Sequence, residues 1–418
     1  MASLTNRLRD VVLRFGPTSA LLLISQAISA VSLSLLPLLG LKVSDVYAIG
    51  VQTGTGPYNG LVLGVVYLLV IGRPNFSRWS VVNASVSLFS LGLTGFSLYS
   101  ALYHARPHGL PPSQIIPIIV LFGIGGLALG LASVSGVRQA CLGRPWLLAG
   151  VTMLPNLAMS VTTCVSFACF RKYTGVAVAP AASWCFAAVL TTVLFATRPL
   201  PPVSSLTPKI VEETRRNKIL HVTGLVVGLA SSTVLPIGFV TAAGKLNAGS
   251  ATILFLANRI GSAIVGVFVN AVLMVKINWD EPTRLSTRYS YIFPIFSAAF
   301  VLASVGLHYG AASPLVTYVI VALSWLCLTC STPVILREAN VRKLGSVLVT
   351  KSIVDVCATS LALFLFQKHP SATGYFGASM ISQQITCIVC GSAFKDTRLI
   401  AGSAFGLALS VLLLLQGW

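Results

Sequence analysis

Residues 250–277 read SATILFLANRIGSAIVGVFVNAVLMVKI. Between Ser250 and Val275 the single ionisable side chain is Arg259. As a helix rising about 1.5 Å per residue, such a run exceeds the ~30 Å hydrocarbon core of a bilayer. No soluble fold needs a segment of this kind, and the chain is made of segments like it. Apolar runs recur at 17–41, 46–72, 80–103, 115–136, 147–170, 176–197, 219–243, 251–276, 290–309, 314–336, 346–366 and 375–394. A last one, 399–416, reads either as a thirteenth span or as a helix lying along the interface.

Composition agrees with the pattern. Of 418 residues, 55% are apolar and 9% are charged, against about 25% charged in a typical soluble domain. The sequence therefore predicts an all-α polytopic membrane protein with 12–13 transmembrane helices. The opening run 17–41 is too long for a signal-peptide core and is expected to remain as the first span.

Lys and Arg total 28 against 9 acidic residues, a formal charge of +19. With the N-terminus placed in the cytoplasm, loops on that side carry 20 of these cations, the opposite loops carry 6, and Arg259 and Lys351 lie within spans. The positive-inside rule accounts for that asymmetry and implies an even number of helices before residue 395. The cations are scattered, with no soluble module to carry them, so nucleic acid is not an expected partner.

The longest polar connection, RPLPPVSSLTPKIVEETRRNK at 198–218, sits centrally. It predicts two six-helix lobes, 1–197 and 219–394, joined by a cytoplasmic linker at 198–218 and followed by an extra hydrophobic helix at 395–418. Paired bundles are a common plan for secondary transporters, which hold their cargo near the midplane.

Catalysis is not expected. Membrane-embedded transferases need carboxylates or histidines on external loops to activate an acceptor. Here Asp45 is the sole acid on that side, and His104, His108, His308 and His369 are dispersed. There is no Walker A motif, and the pairs Cys327/Cys330 and Cys387/Cys390 have no histidine nearby, so they read as small buried hydrophobes rather than metal ligands.

Ionisable groups within spans are costly and therefore informative. Ser262, Gly266 and Asn270 follow Arg259 at helical spacing and share its face. A guanidinium beside that stripe either meets a phosphate in a cavity, snorkels outward, or ties two helices together. Lys351 and Asp355 form an i, i+4 pair. Lys351 either snorkels to the cytoplasmic side with Asp355 as its partner, or holds a phosphate there while Asp355 responds to Na⁺ or H⁺. The stretch SDVYAIGVQTGTGPYNGLVLG at 44–64 interrupts its apolar pattern with five glycines, Pro57, Gln52 and Asn59, and reads as a gating hinge or a close packing face. Gly224 and Gly228 read as a packing face. Gln26, Asn156, Gln383 and Gln384 are further candidate cavity polars.

GLKVSDVYAIGVQTGTG at 40–56, followed by an apolar run and a basic turn, resembles the first two helices of the lipid II flippases. That family belongs to the multidrug, oligosaccharidyl-lipid and polysaccharide exporter (MOP) superfamily. GSATILFLANRIGSAIVGVFVNAVLMV is similar to the family's eighth helix, and Arg259 falls on its Arg. The first span carries Gln26 and serines where the family has basic residues. The resemblance implies two six-helix lobes working by alternating access, and a cationic cavity for the diphosphate of a polyprenyl-linked glycan. On it rests the expected function: a flippase in the cell membrane exporting an anionic lipid-linked oligosaccharide or envelope precursor. Arg259, Ser262, Asn270, Asn59, Gln52, Gln26 and Lys351 would bind cargo, and Asp355 would couple transport to Na⁺ or H⁺, with no other cofactor. Membrane lipids and glycan-assembly enzymes are the implied partners. A cation-coupled multidrug exporter of the same fold, and an inert scaffold of an envelope-synthesis complex, are the alternatives.

Overall fold

The computed structural model describes residues 20–21, 23–25, 27–67, 79–104, 110–141, 144–170, 177–196, 215–265, 291–310, 314–342, 344–368 and 370–416. Among them the chain is helical and contains no strand. Nine of the described helices are long and apolar enough to cross a membrane. Many present large apolar side chains outward, as Leu88 and Phe186 do at 71% and 72% exposure, which suits a lipid-facing surface. The protein is a multi-pass membrane protein.

The helices fall on the apolar runs of the sequence. They are α1 (Leu23–Leu39), α2 (Leu41–Gly56), α3 (Trp79–Tyr99), α4 (Pro112–Cys141), α5 (Pro145–Ala149), α6 (Met153–Phe170), α7 (Ala179–Ala196), α8 (Arg215–Leu229), α9 (Leu235–Ala243) and α10 (Ser250–Val265). Then come α11 (Ile292–Tyr309), α12 (Pro314–Val341), α13 (Gly345–Lys368), α14 (Ala372–Phe394) and α15 (Thr397–Gln416). The 399–416 run forms α15, which packs tightly on α14: a Cβ at Gly377 would sit 2.8 Å from the Ser410 carbonyl oxygen. The expected span at 147–170 is present as Trp146–Cys169, with a turn at 150–152 between α5 and α6.

Two departures from regular helix matter for the site. α2 continues as a π-helix over Pro57–Val66, and α8 joins α9 through a π-helix at Ala230–Val234. Pro57 has no N–H to donate to the preceding turn, so the ladder loosens where it enters. Wide turns of this kind often mark functional segments.

The described chain divides into two compact units: residues 1–210 with 258–283, and residues 211–257 with 284–418. In the first unit, α2, α4 and α7 meet at small residues. A Cβ at Gly54 would come 2.7 Å from Trp184, and one at Gly126 would come 2.8 Å from the Gly54 carbonyl oxygen. Gly50 is similarly blocked by Phe122. Without a hydrophobic force between helices in lipid, such close approach and interhelical hydrogen bonds hold the bundle. The bonds are present: Thr53 Oγ1 donates to Ser97 Oγ at 2.7 Å, and Trp184 Nε1 donates to Asn156 Oδ1 at 3.2 Å. Asn156, a candidate cavity polar in sequence, is buried and serves packing.

The second unit uses the same means. α8 lies against α13 at Gly224, where a Cβ would come 2.8 Å from the Leu348 backbone, and Ser352 Oγ donates to the Gly224 carbonyl at 2.6 Å. Ser297 and Ser324 link α11 to α12 at 2.8 Å. Cys387 and Cys390 are buried with Ile335, Ala339, Leu348 and Leu399 in an apolar cluster. Gln383 Nε2 donates to Thr329 Oγ1 at 2.9 Å.

Candidate functional site

α2 and its π-helical continuation form the most enclosed element of the first unit. From Ser44 to Tyr67 every residue is buried except Gln52, Asn59, Leu63 and Gly64. Gln52 is half-buried and Asn59 is exposed. With Leu63 and Gly64, these two polar side chains are the accessible positions of a helix otherwise wrapped in protein. Gly50 and Gly54 are packing contacts, as above, which fits the close-packing reading of these two glycines.

Arg259 stands beside this face. Its Nη2 donates to Thr55 Oγ1, one turn after Gln52 and four residues before Asn59. Arg259 is half-buried, Thr55 is buried, and the Thr55 hydroxyl in turn donates to the Val51 carbonyl at 2.8 Å. Arg259 and Thr55 both belong to the first unit, since the contact division of α10 falls between Ala257 and Asn258. Of the stripe expected after Arg259, the Ser262 side chain, Gly266 and Asn270 lie outside the described residues, as does Gln26.

A second polar cluster is built in the other unit around Asp355. Lys351 Nζ donates to Asp355 Oδ2 at 2.9 Å. Ser231 Oγ, from the π-helix between α8 and α9, donates to the same oxygen at 2.7 Å. Thr359 Oγ1 donates to Oδ1 at 3.1 Å. The two ionic side chains are 10% and 1% exposed. Lys351 therefore does not snorkel, as one sequence reading had it; its short reach to Asp355 along one helix face keeps it within the bundle. The pairing with Asp355 is the one expected from their i, i+4 spacing. Three donors thus converge on one buried carboxylate. Among the described residues no group of three or more His, Cys, Asp or Glu side chains could hold a metal ion.

Sequence reasoning passed over Thr55, Ser231 and Thr359. Thr359 was visible, standing four residues beyond Asp355 as Lys351 stands four before it. Ser231 and Thr55 lie 124 and 204 residues from their partners, and nothing local announces either contact.

No family model and no curated protein matches the sequence. Solved structures do match in shape. The lipid II flippase MurJ, in an inward closed conformation, aligns with a TM-score of 0.55 at 14% identity over 97% of this chain and 92% of that one. A chain named "protein A" aligns with a TM-score of 0.57 at 11% identity over 94% and 96% of the two. With the helical architecture described above, these likenesses give the conclusion about fold: the chain is folded like MurJ.

Proposed function

We propose that the chain is a flippase for an anionic, lipid-linked oligosaccharide or envelope precursor. The observation that carries this reading is the Arg259–Thr55 contact on the α2 face where Gln52 and Asn59 are accessible. A diphosphate crossing hydrocarbon unaided must shed its hydration, at a cost of several kcal/mol for each unpaired polar group. A guanidinium held by a hydroxyl in a partly wet recess offers the phosphate oxygens paired, planar donors. Gln52 and Asn59 supply neutral donors and acceptors for sugar hydroxyls, and the prenyl tail stays in lipid. MurJ, which has a similar fold, is described as a lipid II flippase, and this supports the reading.

In this reading the chain sits in the cell membrane with its N-terminus in the cytoplasm, as the loop charges favour. The bundles 1–197 and 219–394 exchange access between the two leaflets, joined by the linker at 198–218. The enzymes that assemble the glycan are the natural neighbours. Ser231, Lys351, Asp355 and Thr359 form the coupling cluster for Na⁺ or H⁺, with Lys351 belonging to Asp355 rather than to the cargo.

The test uses purified protein in liposomes carrying a fluorescent prenyl-diphosphate sugar, with a membrane-impermeant quencher reading each leaflet. Wild type should move the probe, Arg259→Lys should do so more slowly, and Arg259→Ala should fall to the rate of empty vesicles. Movement at the wild-type rate by Arg259→Ala would end this reading. Failure of wild type to move the probe, with export of a cationic dye instead, would transfer it to the multidrug class.

A further inference from the structure

Away from both clusters, the second unit has a basic recess at one end. It is a cavity of about 310 Å³ lined by Tyr291, Arg342, Phe394, Lys395, Asp396, Thr397 and Arg398. That volume lies at the lower end of the range of small-ligand pockets. The recess forms where three connections converge: the entry to α11, the end of α12 and the two-residue turn between α14 and α15. Lys395 closes α14 in the left-handed conformation, φ 57°, and so turns the chain sharply into α15. Asp396 then caps α15, its Oδ1 accepting the Leu399 N–H at 3.1 Å.

Three cations against one acid line this space, and the acid is already engaged. Arg342 Nε donates to Oε1 of the buried Glu338 at 2.7 Å, which orients the guanidinium. The same guanidinium lies 4.7 Å from the Phe394 ring centroid, and the Arg398 guanidinium lies 5.6 Å from that of Tyr291. Among the described residues the Arg342 Nη groups, Lys395 Nζ and the Arg398 guanidinium have no hydrogen-bond partner. Stacking on rings fixes the cations without using their N–H groups. The recess therefore holds three cations, two of them oriented by rings, beside the single carboxylate of Asp396.

We infer that this recess binds the phosphate headgroup of an anionic membrane lipid. Its place selects a lipid over a soluble anion. Tyr291 and Phe394 are ring side chains at helix ends, the level at which aromatic residues sit in a bilayer interface. The first turn of α11 beyond Tyr291 exposes Phe293, Ile295 and Phe296, a surface along which acyl chains can lie. The orientation drawn from the loop charges puts all three connections on the cytoplasmic side, where leaflets are rich in anionic lipid. The site is independent of what the Arg259 recess carries, and it gives the second unit a fixed lipid at its edge.

The test measures binding of short-chain phosphatidylglycerol to delipidated full-length protein in detergent, with short-chain phosphatidylcholine and inorganic phosphate as comparisons. At about 1 kcal/mol per surface cation, the double variant Lys395→Gln/Arg398→Gln should bind phosphatidylglycerol roughly 30-fold more weakly. A variant that removes two exposed cations elsewhere in the second unit, Arg216→Gln/Lys218→Gln, should bind it as wild type does. Melting temperatures of both variants equal to wild type show that the fold is retained. Equal binding of phosphatidylglycerol by wild type and the Lys395/Arg398 variant overturns the site. Equal loss in the Arg216/Lys218 variant overturns its specificity, and phosphate binding as tightly as the lipid overturns the choice of a lipid.

Discussion

Lys351 Nζ lies 2.9 Å from Asp355 Oδ2, one helical turn along α13, and both side chains are buried. Removing one member of a buried pair leaves the other charged in a low-dielectric interior, typically at about 3–5 kcal/mol. Replacing both with neutral side chains removes two desolvation costs together. Lys351→Ala should therefore lower the melting temperature in detergent strongly. Lys351→Met/Asp355→Asn should recover most of the loss, because the Asn amide can accept from one of the Ser231 and Thr359 hydroxyls with its oxygen and donate to the other with its nitrogen. A single and a double variant that melt together would show that the pair does not act as a pair.

The same double variant bears on coupling. If Asp355 is where the driving ion acts, the folded double variant should move the prenyl-diphosphate probe at a rate indifferent to an imposed Na⁺ or H⁺ gradient. Wild type should respond to one of the two. Arg259 is untouched in this variant, so cargo recognition remains. A gradient response equal to that of wild type places coupling elsewhere.

Gly126 approaches the Gly54 backbone so closely that a Cβ would stand 2.8 Å from the Gly54 carbonyl oxygen and 2.9 Å from its Cα. Backbone cannot swing aside as a flexible side chain can, so Gly126→Ala should cost about 1–3 kcal/mol through forced separation of α2 and α4. Gly92, on the outward face of α3, has nothing within 4 Å of the corresponding position. Gly92→Ala should stay within about 0.5 kcal/mol of wild type. Melting temperatures of the two variants in one detergent separate the cases, and a similar shift in both would contradict the close-contact account.

Gln384 on α14 is fully buried, and neither its amide nitrogen nor its amide oxygen has a hydrogen-bond partner among the described residues. Gly406 on α15 gives it room, since a Cβ there would come 2.2 Å from the amide nitrogen. An unsatisfied buried amide costs about 1–3 kcal/mol. Gln384→Met, of similar length and without polar atoms, should raise the melting temperature, while Gln384→Glu should lower it by adding a buried charge. A lowered melting temperature in Gln384→Met would mean that the amide is satisfied in the working protein.

The positions of the helices were legible because hydrocarbon imposes one simple rule, a long apolar run wherever the chain crosses, and among the described residues each of the thirteen runs carries helix. Pairing across the sequence was not legible. Arg259 could be seen to need a partner from its cost alone, yet its acceptor, Thr55, is an ordinary threonine 204 residues away. Lys351 and Asp355 were visible as neighbours on one face, but their distance from solvent depends on α8 and the π-helix covering them, which periodicity does not report. Gln384 and Asn156 looked alike as polar residues in apolar runs. Only packing separates the unpartnered amide of the first from the hydrogen-bonded amide of the second.

The accessible polar positions of α2 make the sharpest demand. Gln52 and Asn59 are accessible on a helix whose intervening residues, Thr53 to Tyr58, are all buried. In a background lacking the nine native cysteines, Gln52→Cys and Asn59→Cys should react with a membrane-impermeant, charged thiol reagent, because the reagent needs water and a thiolate at the site. Val51→Cys and Gly60→Cys, buried on the same helix, should react at least tenfold more slowly. Prenyl diphosphate should protect Gln52→Cys and Asn59→Cys if the recess receives the diphosphate, and phosphatidylglycerol should not, because its proposed site is formed by Arg342, Lys395 and Arg398. Equal, slow labelling at all four positions would mean that α2 faces no water, and Arg259 would then be a tie between helices, as one reading of the sequence had it.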